Sequence, residues 1–235
     1  MPTFTLASFN ICSAHFQKGR YTEENLLCIA RHVEASGADV VCLQEVDRGA
    51  ARSDRVDMPA FLAASTSLKH AYFIKIRDFQ GGEYGTAILS RYPITESRTY
   101  NYPVTVATQG TSCGYVTLDV EGTPVTVFNT HLSVENEESN TETLLCLGEI
   151  LSVFATAHPE GFLCCGDFNT SPEKVARFLP ALKRAHNGLC TYADRSIDHI
   201  LFRGAITVAN TRTLDTQSDG TTDHNMVLTD VTAAD

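Results

Sequence analysis

Eight residues, Asn10, Glu45, His131, Asp167, Asn169, Asp198, Asp223 and His224, stand where apolar segments of the chain stop. They are acids, amides and imidazoles, side chains that hold charged groups and pass protons. Each alone has a plain structural explanation: Asn10 could start a turn, Glu45 could be a solvated strand terminus, and Asp198 could pair with a surface arginine. Their repetition at successive segment ends points instead to one site, because binding and catalytic residues gather on loops at the ends of scaffold strands. The densest string is Gly166-Asp167-Phe168-Asn169-Thr170-Ser171-Pro172, directly after an apolar run. In extended backbone, residues two apart leave on the same side, so the spacing predicts that Asp167 and Asn169 face one site together.

The elements that must carry these residues read as many strands interleaved with few helices. Residues 3–9 and 39–45 have the length and composition of buried strands, the second ending on the Glu45 carboxylate. Between them Thr22 caps a helix with Glu23 and Glu24 in its first turn, an apolar face of Leu26, Ile29, Ala30 and Val33, and a stop at Gly37. Further strands are expected at 85–90, 113–120, 124–131, 161–165, 197–202 and 225–231, with a turn at Glu121-Gly122. A second helix fits 141–157, with Leu144, Leu147, Leu151 and Phe154 on one face, and a third opens at Ser171-Pro172. This pattern predicts stacked sheets covered by helices rather than one doubly wound sheet. With no linker, low-complexity tract or internal repeat, residues 1–235 read as a single domain.

In order along the chain come Ser8-Phe9-Asn10-Ile11, Leu43-Gln44-Glu45-Val46, Asn129-Thr130-His131-Leu132, Gly166-Asp167-Phe168-Asn169, Ile197-Asp198-His199-Ile200 and Thr222-Asp223-His224. This ordered set resembles the endonuclease/exonuclease/phosphatase superfamily of DNase-like metal-dependent phosphohydrolases. The resemblance implies an α/β fold, a four-layered α/β/β/α sandwich with two packed mixed β-sheets, its site at the top of the sheets. It implies Mg²⁺ or Mn²⁺, hard ions suited to carboxylate oxygens, with Glu45 as principal ligand and Asn10 and Asp223 completing or supporting the site. It further implies that Asp167 orients or deprotonates an attacking water while Asn169 holds the phosphate. His224, oriented by Asp198, would be a base or a cationic clamp, and His131 would contact the phosphate or protonate the leaving oxygen. Such chemistry is largely positioning plus electrostatics. Glu83 lies where DNase-like members carry a glutamate that pairs with the histidine matching His131. Two departures stand out: Thr222 replaces the usual serine but keeps the hydroxyl, and His199 takes a position that is often aromatic, as an added site group or a packed histidine.

Charge bears on the substrate. The formal net charge is −10, and nucleic-acid binders neutralise phosphates with Lys and Arg. After His131 the chain reads Ser133 to Glu142, SVENEESNTE, with four glutamates and no basic residue. A loop of that kind beside the cleft would repel a long polyanion. Arg48, Arg52 and Arg55 follow Glu45 and either grip an anionic substrate or are neutralised by Asp47, Asp54 and Asp57. There is no Trp and no interleaving of cations with aromatics as in single-strand binders. Together these favour a small phosphodiester or a lipid headgroup over DNA or RNA, with a nuclease and an idle binding protein as the alternatives. The eight cysteines lack metal or disulfide spacing and read as reduced thiols. With no signal peptide or membrane span legible, the expected setting is cytoplasmic, with no obligate protein partner.

Overall fold

The structure, a computed structural model, describes residues 1–16 and 19–233. The chain runs β1 Thr3–Asn10, α1 Glu23–Ser36, β2 Val40–Arg48, α2 Met58–Ser65, β3 His70–Phe79, β4 Gly82–Ser90, β5 Ile94–Asn101 and β6 Ser112–Val120. It continues through β7 Thr123–His131, α3 Glu137–Ala157, β8 Gly161–Asp167, α4 Pro172–Phe178, β9 Lys183–Arg184, β10 Asp198–Gly204, β11 Ile206–Leu214 and β12 Met226–Ala233. Two six-stranded sheets result, ordered β11-β12-β1-β2-β4-β3 and β5-β6-β7-β8-β10-β9. Both are mixed, since β1–β2 and β7–β8 are parallel and the other pairs antiparallel.

Alternation along the strands builds the layers. In β2, Val40 and Cys42 join Leu163, Cys165 and Ile200 of the other sheet in a core between the sheets. Val41 and Leu43 point the opposite way, onto Leu26, Ile29 and Val33 of α1. On the far side Phe128, Phe162 and Cys164 pack against Leu144, Leu147 and Leu151 of α3. Apolar residues are therefore needed on both faces of the central strands, which explains their unbroken hydrophobic runs. The four-layered α/β/β/α arrangement is the one implied by the resemblance. All eight cysteines are free thiols; Cys42, Cys113, Cys164 and Cys165 are buried.

Local chemistry sets the helix ends as expected in α1: the Thr22 hydroxyl accepts from Asn25 N at 3.1 Å and Gly37 closes the helix in a left-handed conformation. Two expectations need correction. β2 does not stop at Glu45 but continues to Arg48 through a register shift between Leu43 and Val46. α3 begins at Glu137, inside the glutamate-rich segment, because Asn136 and Ser139 form a reciprocal cap. Strands β3, β5, β9 and β11 and helix α2 were not foreseen.

Candidate active site

The interior face of each central strand ends in a polar residue. Asn10 shares the parity of Phe4 and Leu6, His131 that of Val125 and Val127, Asp167 that of Leu163 and Cys165, and Asp198 that of Ile200 and Phe202. All four therefore emerge at one end of the intersheet core. Register adds a row: Asp167 lies opposite His131 on β7 and opposite Asp198 on β10. Gly166 permits the close approach, since a Cβ there would stand 2.2 Å from the Thr130 carbonyl oxygen. Beneath the row the sheets are tied by a buried link, Gln44 Nε2 to Asn129 Oδ1 at 2.8 Å, with Asn129 Nδ2 donating to the carbonyls of Leu43 and Ala87.

Glu45 arrives differently. Its parity would send it outward, but it has φ 56° and sits in the β2 irregularity. A bulge re-aims a side chain, and backbone strain of this kind clusters at functional sites. The Ser13 hydroxyl donates to the Glu45 carbonyl at 3.0 Å. The result is that Asn10 Nδ2 donates both to Glu45 Oε1 and to Asp167 Oδ2, each at 3.1 Å, while Asn10 Oδ1 accepts from Cys12 N. As placed, Asn10 bridges two carboxylates through its amide nitrogen, and its Oδ1 carries a single donor, Cys12 N.

Asp167 is the hub. Its Oδ2 lies 3.6 Å from His131 Nε2 and 3.7 Å from His224 Nε2, and its Oδ1 accepts from Asn169 N at 2.9 Å. Burial and the charge of Asp198 push its carboxyl up to about 6, against the pull of His131 and His224. His224 donates from Nδ1 to Asp198 Oδ2 at 2.9 Å. Burial opposes its cation, but the charge and hydrogen bond of Asp198, aided by Asp167 and Asp223, lift it to about 9. Tyr192 packs on the His224 ring at 4.8 Å, and the Thr222 hydroxyl donates to the Asn10 carbonyl at 2.9 Å. Asp223 is partly exposed, 4.0 Å from His224 Nε2. Its carboxyl is raised by burial and by the negative charges of Glu45 and Asp198, with His224 opposing.

Two groups of oxygens could hold a cation. Atoms of Asp167, Asp198 and His224 lie within 4.8 Å of one another, with His224 Nδ1 engaged by Asp198. Glu45 and Asp223 offer carboxylates at the more open side of the cluster, where their mutual repulsion leaves negative charge for a cation to neutralise.

Other expected residues go elsewhere. Asn169 meets Asp167 through a turn rather than strand alternation: β8 ends at Asp167, Asn169 has φ 50°, and its amide donates to the Leu132 carbonyl. Glu83 does not pair with His131; its carboxylate binds Arg48 and Lys75. That contact pairs Arg48, and Arg52 is held by Asp47 and the Ser13 hydroxyl. Arg55 bonds the carbonyls of Gly49 and Gly81. His199 is a packed histidine: its Nε2 donates to the Thr170 carbonyl and its ring meets Phe168 and His186. Sequence reasoning missed Tyr192, for which the chain holds no local signal. It passed over Gln44 and Asn129, whose polar character inside apolar motifs was readable, whereas the Thr222 hydroxyl noted in the sequence is the one that meets the Asn10 carbonyl.

The glutamate-rich segment also changes meaning. Glu142 accepts from the backbone N–H groups of Thr105, Val106 and Ala107 and from the Thr105 hydroxyl. Glu135 accepts from Thr108 and Gln109. These carboxylates anchor the segment between β5 and β6, rather than serving as a free acidic fringe. The Ala107 N–H, with its neighbours, holds Glu142 at about 2. A depressed carboxylate contributes stability that is complete above its ordinary 4.5 and is lost as pH falls through about 2. Glu142→Gln is expected to melt below wild type at pH 6, with the gap narrowing as pH drops from 4.5 toward 2. A gap independent of pH over that window contradicts the anchor.

The family model described as Endonuclease/Exonuclease/phosphatase family matches residues 7–224. No curated protein matches the sequence. Among solved structures, the endonuclease/exonuclease/phosphatase from Beutenbergia cavernae DSM 12333 is similar with a TM-score of 0.81 at 21% identity, over 100% of this chain and 72% of that one. The human Nocturnin catalytic domain with bound sulfate anion gives 0.77 at 18%, over 99% and 94%. The Bacteroides thetaiotaomicron VPI-5482 mannosyl-6-phosphatase Bt3783 gives 0.76 at 16%, over 97% and 99%. At these identities the likeness is one of fold.

Proposed function

We propose, on the premise that this chain belongs to the endonuclease/exonuclease/phosphatase family, that it is a divalent-metal-dependent phosphoester hydrolase whose substrate is a small-molecule or lipid-headgroup phosphodiester. The observation that carries the reading is Asp167, a buried carboxylate raised to about 6 and set between two imidazoles and two amides. A base poised near neutrality can take a proton and return it.

Asn10 and Asn169 fix the Asp167 carboxylate, leaving it to receive the proton of a water aligned with the phosphorus. The water oxygen–phosphorus bond forms as the bond to the leaving oxygen breaks. His131 faces the same pocket and gives that oxygen its proton. His224, held charged by Asp198, acts as the cationic clamp rather than the base and faces the negative charge on the phosphoryl oxygens. Mg²⁺ or Mn²⁺ on Glu45 and Asp223, with retained waters, fits the crowding of carboxylates and would supply Lewis-acid polarisation and charge neutralisation. The acidic balance and the occupied arginines Arg48 and Arg52 support a small substrate over a duplex.

The test is a panel of bis-p-nitrophenyl phosphate, sphingomyelin, phosphoinositides, plasmid DNA and RNA, each with Mg²⁺ and again with EDTA. Chelator-sensitive hydrolysis of the small or headgroup esters is expected. Faster degradation of DNA or RNA would move the assignment to a nuclease, and turnover surviving EDTA would remove the metal.

A further inference from the structure

Glu45 and His131 also border a second cleft of about 110 Å³, closed by Arg77, Tyr84, Thr111 and Glu135. Arg77, on β3, lies over the rings of Phe79 and Tyr84 at 5.2 and 5.1 Å and donates from Nη1 to Gln109 Oε1 at 2.8 Å. Its Nε is buried without a hydrogen-bond partner, and so is Thr111 Oγ1 on the same cleft. Glu135 is close enough to feel the arginine's charge, but its oxygens are taken by Thr108 and Gln109. Among the described residues no carboxylate stands within ion-pair distance of Arg77, in contrast to Arg48 and Arg52.

A buried donor without a partner is costly, and two residues that line this small cleft each carry one. The two rings and Gln109 fix where the guanidinium sits, and a cation so placed suits an anion. The loop that brings Thr111 and Gln109 is itself pinned by Glu135 and Glu142, which makes the wall a built one.

We propose that this cleft is an anion subsite selecting phosphoesters that carry a second anionic group, carboxylate or phosphate, close to the scissile phosphate, with Arg77 as its specificity-determining residue. The proposal rests on the hydrolase reading above, because Glu45 and His131 join the subsite to the reacting centre. Phe79 and Tyr84 hold the guanidinium, and Thr111 supplies the hydroxyl donor.

Three p-nitrophenyl phosphodiesters test it, with ethyl, carboxymethyl and 2-phosphoethyl groups as the second ester. Wild type is expected to show KM at least about ten-fold lower for the anionic esters than for the ethyl ester. The ratio between the carboxymethyl and 2-phosphoethyl esters tells which anion is preferred. Arg77→Gln closes the gap, and Thr111→Val, a near-isosteric change that preserves the fold should Arg77→Gln not, narrows it. Equal KM values in wild type, or a gap that survives both variants, overturns the subsite. If none of the three esters is hydrolysed, the hydrolase reading fails separately, and calorimetry with phosphonoacetate decides the subsite. Binding weakened about ten-fold by Arg77→Gln upholds it, and unchanged binding overturns it.

Discussion

Asp167→Asn is expected to lose turnover by about a thousand-fold or more while remaining folded, the scale associated with removing a positioned general base. The side chain keeps its shape, so Asn169 N retains an acceptor. What disappears is the ability to take a proton from water. Stability changes little because two effects oppose each other. The buried charge beside Asp198 is gone, which relieves the repulsion and desolvation that raise its pKa. Asn10 Nδ2 loses one of its two carboxylate acceptors but keeps Glu45. Steady-state kinetics beside a thermal melt make the check, and a folded variant with wild-type turnover would place the base elsewhere.

The second large effect concerns Glu45. A cation that binds only the folded chain stabilises it by about 2.7 kcal/mol at a hundred-fold excess over Kd. For a chain of this size that corresponds to roughly 5–10 °C in melting temperature. Wild type should show such a rise with Mg²⁺. Glu45→Gln, which keeps the acceptor for Asn10 Nδ2 but halves the carboxylate charge available with Asp223, should show little of it. The readout is independent of turnover, so it separates loss of metal from loss of chemistry. An equal Mg²⁺ shift in both proteins contradicts the assignment of Glu45 as principal ligand.

Much of this architecture was legible before the structure because buried strands and capped helices leave strong local signals. α1 was readable from Thr22 to Gly37, since its cap, apolar face and stop are all side-chain chemistry within the segment. Asn10, His131, Asp167 and Asp198 were readable as strand-end polar residues, and alternation explains why they converge. The rest depends on contacts across the sequence. β3 and β5 are partly exposed, with mixed polar patterns that give no clean alternation. Glu45 looked like a strand terminus because the bulge that re-aims it is made by pairing with β4, in the register that sets Val46 opposite Gly85. Glu135 and Glu142 looked like part of a repulsive fringe because their partners, the N–H groups of residues 105–109, carry no sequence signature. Arg77 was overlooked for the same reason: its significance lies in what it does not pair with. Arg48 and Arg52 drew attention by nearness to Glu45, yet Glu83 and Asp47 hold them.

The central claim is a metal-dependent hydrolysis of a phosphodiester at the Asp167 cluster. The most direct measurement is p-nitrophenol release from bis-p-nitrophenyl phosphate by chelator-treated protein before and after Mg²⁺ is restored. The geometry predicts no release above background before addition and a saturable, Mg²⁺-dependent rate after it. Release that proceeds at the same rate without the cation, or none at any Mg²⁺ concentration from a folded protein, would contradict the account.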